Sequence, residues 1–218
     1  VYKRQLITIA IFGMWYYARY EGSFLPSPKK TFNPMMIVAI VILVPGTQFA
    51  ANFIANLTGY IRPDWLQQYN ELFETSGITD TTFVTVLYSV ILAPICEELI
   101  FRGVTMRCAR KALPFALANL MQAALFGLFH LNWIQGIYAF ALGIVLGYVC
   151  ERGGSIYYSM GLHLLFNLWG TLSGFFPDPG NSVVVFVVVI VVTIVSLVVG
   201  FVLFNKGRRK LPINSTGI

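Results

Sequence analysis

Long apolar runs separated by short polar breaks dominate the chain, and that pattern predicts membrane helices. A helical span needs about 20 mostly apolar residues. Runs of this kind lie at 34–59, 81–105, 112–131, 133–150, 155–176 and 182–204. A shorter run from Leu6 to Ala18 is a candidate seventh crossing. The break at 60–80 has a pattern of its own. Trp65, Leu66, Tyr69, Leu72 and Phe73 recur at helical spacing, with Asp64 placed to cap the start and Gly77 to close the end. This predicts a short amphipathic helix around 64–75 lying on the membrane interface. A surface-packed connector is the plain reading of that helix and a lid is the sharper one. The expected fold is all-α, a polytopic transmembrane helical bundle of about six to eight membrane helices. Its boundaries make one transmembrane domain of 1–205, followed by a basic tail at 206–218.

Composition narrows the class. Of 218 residues, 57% are hydrophobic and 11% charged, against about 25% charged in soluble domains. One soluble core cannot hide that much apolar surface, and the aromatic content argues against disorder. Three scattered cysteines, Cys96, Cys108 and Cys150, make no disulfide framework. The net charge of +6 comes from clusters at the ends of apolar runs, not from a basic surface interleaved with aromatics, so no nucleic acid is expected as a partner. Arg107, Arg110 and Lys111 follow one run, Arg152 another and Lys206, Arg208, Arg209 and Lys210 the last, while 60–80 holds Arg62 and four acidic residues. The alternation places 106–111, 151–154 and the C-terminal tail in the cytoplasm, with the 19–33 loop beside them. Gly143-xxx-Gly147, and less clearly Gly170-xxx-Gly174, read as close helix packing. The valine-rich run 183–199 reads as a lipid-facing span.

Five Asp, Glu, Lys, Arg or His side chains fall inside the spans: Glu97, Glu98, Arg102, His130 and His163, the last two being the only histidines. Such groups cost about 2.5–3.5 kcal/mol each at bilayer depth, and by default they face the bundle interior and carry function. Glu98 and Arg102 are four apart and can pair on one helix face. Glu97 is rotated about 100° from Glu98 and stays outside that pair. His163 and Asn167 share a face, as do Phe126 and His130. An antiparallel hairpin turning near 112–113 brings Glu97 and His130 to within roughly 4 Å of one level. Pro94 predicts a kink beside Glu97. Cys96 reads as a small buried residue.

Glu97-Glu98-xxx-Arg102, Phe126-xxx-His130 and His163-xxx-Asn167, in order on separate apolar helices, resemble the three motifs of the CPBP intramembrane proteases. That family, also called Abi, includes the CAAX prenyl endopeptidases and bacteriocin-processing enzymes. The resemblance covers about 81–176, the motif-bearing core. It implies an intramembrane endopeptidase with Glu97 and His130 on the water and His163 and Asn167 on the oxyanion. The residues agree: a carboxylate base, an imidazole beside it, and N–H groups on one face. Glu98 and Arg102 are expected to brace the site and Phe126 to pack beside it. No cofactor is required in this reading. The alternative is Zn²⁺ on Glu97, His130 and His163, the usual three protein ligands of catalytic zinc. Two further classes are a silent scaffold or immunity protein on the same fold and a proton-coupled transporter, since Glu and His at mid-membrane also relay protons. The implied partners are the lipid bilayer and a peptide or protein substrate, prenylated or carrying a leader. The expected location is the plasma membrane of a bacterium, with access to the site from the cytoplasm.

Overall fold

The computed structural model describes residues 2–20, 32–75, 82–173 and 182–208. All regular structure among them is helical. In chain order the helices are α1 (Tyr2–Tyr20), α2 (Pro34–Ile61), α3 (Pro63–Thr75), α4 (Phe83–Arg110), α5 (Phe115–Phe129), α6 (Trp133–Gly153), α7 (Ile156–Ser173) and α8 (Val183–Arg208). Four of them, α2, α4, α6 and α8, are long and apolar enough to cross a membrane. The apolar parts of α1, Ile7–Tyr16, and α5 are shorter. The helical membrane bundle predicted from the apolar runs is thus the fold observed. Gly77, Gly174, Arg209 and the tail 210–218 lie outside the described residues. α8 continues through Lys206 to Arg208.

α2 and α8 pack antiparallel, with Asn33 Nδ2 donating to the Gly207 carbonyl at 3.0 Å. α8 turns one narrow stripe inward, made of Ser196, Gly200, Phe204 and Gly207. The repeat is close to four residues, and the small members let the two backbones approach. The valines between them are exposed, as expected of a lipid-facing span. Pro45 interrupts α2 and removes a backbone donor. Ser196 repairs the adjoining turn: its hydroxyl accepts from the Gly46 N–H at 2.8 Å and donates to the Ile42 carbonyl. In hydrocarbon each freed backbone group needs such a partner.

α4 and α5 form the expected hairpin, turning at 111–114. α6 returns against α5 through the glycine stripe. A Cβ at Gly143 would press on Ala123 and Phe126, and one at Gly147 would fall on the Asn119 and Gln122 carboxamides. Gly143-xxx-Gly147 is therefore a packing motif. Gly170 is not, since its nearest neighbour is the Gln48 carboxamide at 3.8 Å. Gly147→Ala is expected to destabilise the bundle by about 1–3 kcal/mol through overpacking, read as a lower melting temperature in detergent. Unchanged melting would mean that α5 and α6 are not held this closely.

Among the described residues, the basic turns 106–111 and 151–154 lie at one end of the bundle. Arg110 pairs with Glu151 at 3.3 Å, joining the end of α4 to the end of α6. The Tyr158 hydroxyl near the start of α7 accepts from the Asn33 backbone N–H at 2.9 Å, joining α7 to the start of α2. At the other end α3 lies against α6, with Trp65 and Trp133 stacked at 5.3 Å. Asp64 does not cap α3 as expected. It sits inside the first turn, and the Arg62 guanidinium, bonded to it at 2.7 and 2.9 Å, holds its carboxyl below the usual range.

Candidate active site

Around Pro94, where a kink is predicted, α4 leaves the regular α-helical register. The helix contains two π turns, Leu87–Leu92 and Leu99–Thr105, on either side of an α-helical segment Ala93–Glu98. In the first π turn the Ala93 N–H reaches the Tyr88 carbonyl, five residues back. The next bond in that register would run from residue 94 to the Ser89 carbonyl, and proline has no N–H to supply. Asn167 on α7 supplies it instead: its Nδ2 donates to Ser89 O at 2.8 Å. Asn167→Ala should therefore leave that carbonyl unpaired and cost about 1–3 kcal/mol. The cost should shrink in a Pro94→Ala background, where the backbone regains a donor. Equal melting losses in both backgrounds would break the link between Pro94 and Asn167.

Glu97 and Glu98 end the α segment, and only Glu98 pairs with Arg102. Glu98 and Arg102 are both fully buried and pair at 2.8 Å. Arg102 also donates through Nη2 to the Gly143 carbonyl on α6 at 3.3 Å, and its Cζ lies 4.5 Å from the Phe126 ring centroid. Gln122 donates to the same carbonyl at 2.8 Å, and Asn119 donates to the neighbouring Ile144 carbonyl at 3.0 Å. Glu98 Oε1 further accepts from His163 Nδ1 at 2.9 Å. The resulting chain, Arg102–Glu98–His163, ties α4 to α7 behind the site.

Glu97 faces a cavity of about 700 Å³, which it lines together with Phe126, His130, His163 and Asn167. This volume is within the range of ligand-binding clefts. Glu97 Oε2 lies 3.6 Å from His163 Nε2 and interacts electrostatically with both histidines. His130 is not inside a helix as the run 112–131 predicted. α5 stops at Phe129, and His130 occupies its C-terminal cap. The chain then reverses through Leu131, at φ 54°, into Asn132, whose side chain caps α6 by accepting from Gln135 N. His130 Nδ1 is bonded to the Phe126 carbonyl at 2.8 Å, and its ring meets the Phe126 ring edge-on at 5.0 Å. Phe126 also stands edge-on to His163 at 5.7 Å, so one aromatic ring separates and orients both imidazoles. Cys96 is buried and free.

The hydrogen bonds assign protons. A carbonyl only accepts, so His130 Nδ1 carries a hydrogen, and in the neutral ring Nε2 holds the lone pair. A carboxylate paired with Arg102 also accepts, so His163 Nδ1 donates to Glu98. Among the described residues no group of three or more His, Cys, Asp or Glu side chains is arranged to hold a metal ion.

Several wall residues escaped the sequence reading. Tyr69 on α3 and Tyr138 on α6 hydrogen-bond one another and line the cavity, as do Gln48, Asn52, Ser89 and Gln135. The cavity occupies the half of the bundle away from the basic loops. Thr85 near the start of α4, Gln135 near the start of α6 and Ser173 at the end of α7 all lie on its wall.

An apolar helical bundle in which one carboxylate, Glu97, shares a cavity with two imidazoles, His130 and His163, and with the Asn167 carboxamide defines the class. Residues 79–169 match the family of Rce1-like type II CAAX prenyl endopeptidases. The matched stretch contains every motif residue from Glu97 to Asn167, so the resemblance carried by those motifs is shown on the segment that builds the site. It supports a membrane peptidase. Comparison with curated proteins and with solved structures gave no match.

Proposed function

We propose that this chain is an intramembrane endopeptidase that hydrolyses one peptide bond of a membrane-associated substrate. The observation that carries the reading is the meeting of Glu97, His130, His163 and Asn167 on one cavity wall, with Arg102–Glu98 closing the charge balance behind it. A water between Glu97 and His130 donates one hydrogen to the carboxylate and one to His130 Nε2. Glu97 takes its proton as the water oxygen bonds to the carbonyl carbon. The electron pair moves to the carbonyl oxygen, which becomes the oxyanion. The second Asn167 N–H, not used on Ser89, faces that oxygen, as does His163 Nε2 when the ring is an imidazolium. Collapse of the intermediate breaks the C–N bond, and the proton held by Glu97 goes to the leaving amine. Glu98 keeps the His163 ring in the orientation this needs. No metal takes part, and a chelator leaves the rate unchanged.

The position of the cavity supports entry from the end opposite the basic loops. With those loops in the cytoplasm, the substrate arrives from the outer half of the membrane, contrary to the cytoplasmic access first expected. A leader or tail peptide exposed on that side fits this entry. The test compares newly formed peptide termini in membranes holding the wild-type chain or Glu97→Gln. Termini found only with the wild type, in outward-facing segments, support the reading. Identical lists at equal expression would replace it with the scaffold reading, and termini in cytoplasmic segments would overturn the entry side alone.

A further inference from the structure

We infer that Gln48 and Asn52 on α2 form a subsite that binds the substrate's backbone about three residues from the cleaved bond. This rests on the endopeptidase reading and adds a recognition element to it. Gln48 is only 7% exposed, and its Oε1 has no hydrogen-bond partner, although it stands on the cavity wall. A buried carboxamide oxygen left unpaired is costly; a role in binding is one reason to keep it. Its Nε2 is directed to Asn52 Oδ1 at 3.4 Å. The pair therefore leaves one acceptor, Gln48 Oε1, without a partner and sets the Asn52 carboxamide one helical turn away. An extended peptide offers the complementary N–H and C=O along its edge.

The opposite wall supplies room and register. His163, Asn167 and Gly170 are spaced by four and three residues and share one face of α7. Gly170 has only the Gln48 carboxamide near its missing side chain, at 3.8 and 4.0 Å. Seven residues of helix rise about 10 Å, which separates Gln48 from His163 along α7. An extended chain advances about 3.3 Å per residue, hence the spacing of about three residues.

The test uses the full chain in detergent and a short fluorescein-labelled peptide centred on the bond cleaved in membranes. A second set of peptides carries one N-methyl group at each successive amide. In the wild type, methylation about three residues from the cleaved bond should raise KM about tenfold, with kcat little changed. Gln48→Met should raise KM by a similar factor, and the same methyl group should then add nothing. Melting should hold steady or rise in Gln48→Met, because an unpaired buried oxygen is gone. Gly170→Leu, which covers Oε1 while leaving Gln48 itself unsubstituted, should reproduce the KM effect. Additive methyl penalties in both variants, or a melting loss in Gln48→Met with KM unchanged, would make Gln48 a structural strut and end the proposal. If no terminus depends on Glu97, the endopeptidase reading fails and the subsite with it; cleavage with unaltered KM in both variants defeats the subsite alone.

Discussion

Glu97→Gln is expected to lower the cleavage rate by about 10³-fold, within the 10²–10⁴ range for losing a positioned acid–base group, while the protein stays folded. The amide keeps the size of the side chain and loses only the capacity to take a proton from water. Glu97 has no pairing with Arg102, and its side chain is 16% exposed in the cavity, so nothing in the brace depends on its charge. Melting temperature in detergent should therefore match the wild type, and the His163–Glu98 bond should persist. Glu97→Asp keeps the charge but withdraws it by one methylene, a misplacement of about 1 Å that can cost 10²-fold. Both variants should lose kcat with little change in KM. Wild-type turnover in Glu97→Gln would remove Glu97 from the chemistry; a large melting loss with proportionate activity loss would make it structural.

The parts of this site that were legible are those that membranes make expensive. Glu97, Glu98, Arg102, His130 and His163 stand out because charge is rare at bilayer depth, and helix periodicity separates the Glu98–Arg102 pair from Glu97. Level matching across the hairpin was enough to put Glu97 and His130 on one cavity. Carboxamides carry no formal charge, so Gln48, Asn119 and Gln122 passed unnoticed, although an Asn-x-x-Gln pair in an apolar run is itself a signal. The π turns have no pattern beyond Pro94, because the register change shows only in which carbonyl each N–H reaches. The end of α5 was misplaced by two residues, since Leu131 is apolar and continues the run while its backbone has already turned. Asn132, which caps α6, is the sequence signal that could have ended the run before His130.

Arg102→Met should be the most damaging substitution for stability, and it distinguishes the brace from the chemistry. Removing one member of a buried pair leaves the other charge without compensation and costs about 3–5 kcal/mol, or roughly 10 °C in melting temperature for a chain of this size. Here the loss extends further, because Arg102 also holds the Gly143 carbonyl and the face of Phe126. The double variant Glu98→Leu with Arg102→Met removes both charges and should recover much of that stability, as apolar replacements of buried pairs often do. Activity should not return with it. Without Glu98, His163 loses the acceptor for Nδ1 that orients its ring, and the rate should stay on the order of 10²-fold or more below wild type. A pair that served only to hold the fold would give back activity along with melting temperature. A double variant that melts near the wild type but cleaves at the level of His163→Ala would place Glu98 as the positioning residue of His163 and Arg102 as the counter-charge that lets Glu98 remain in the membrane.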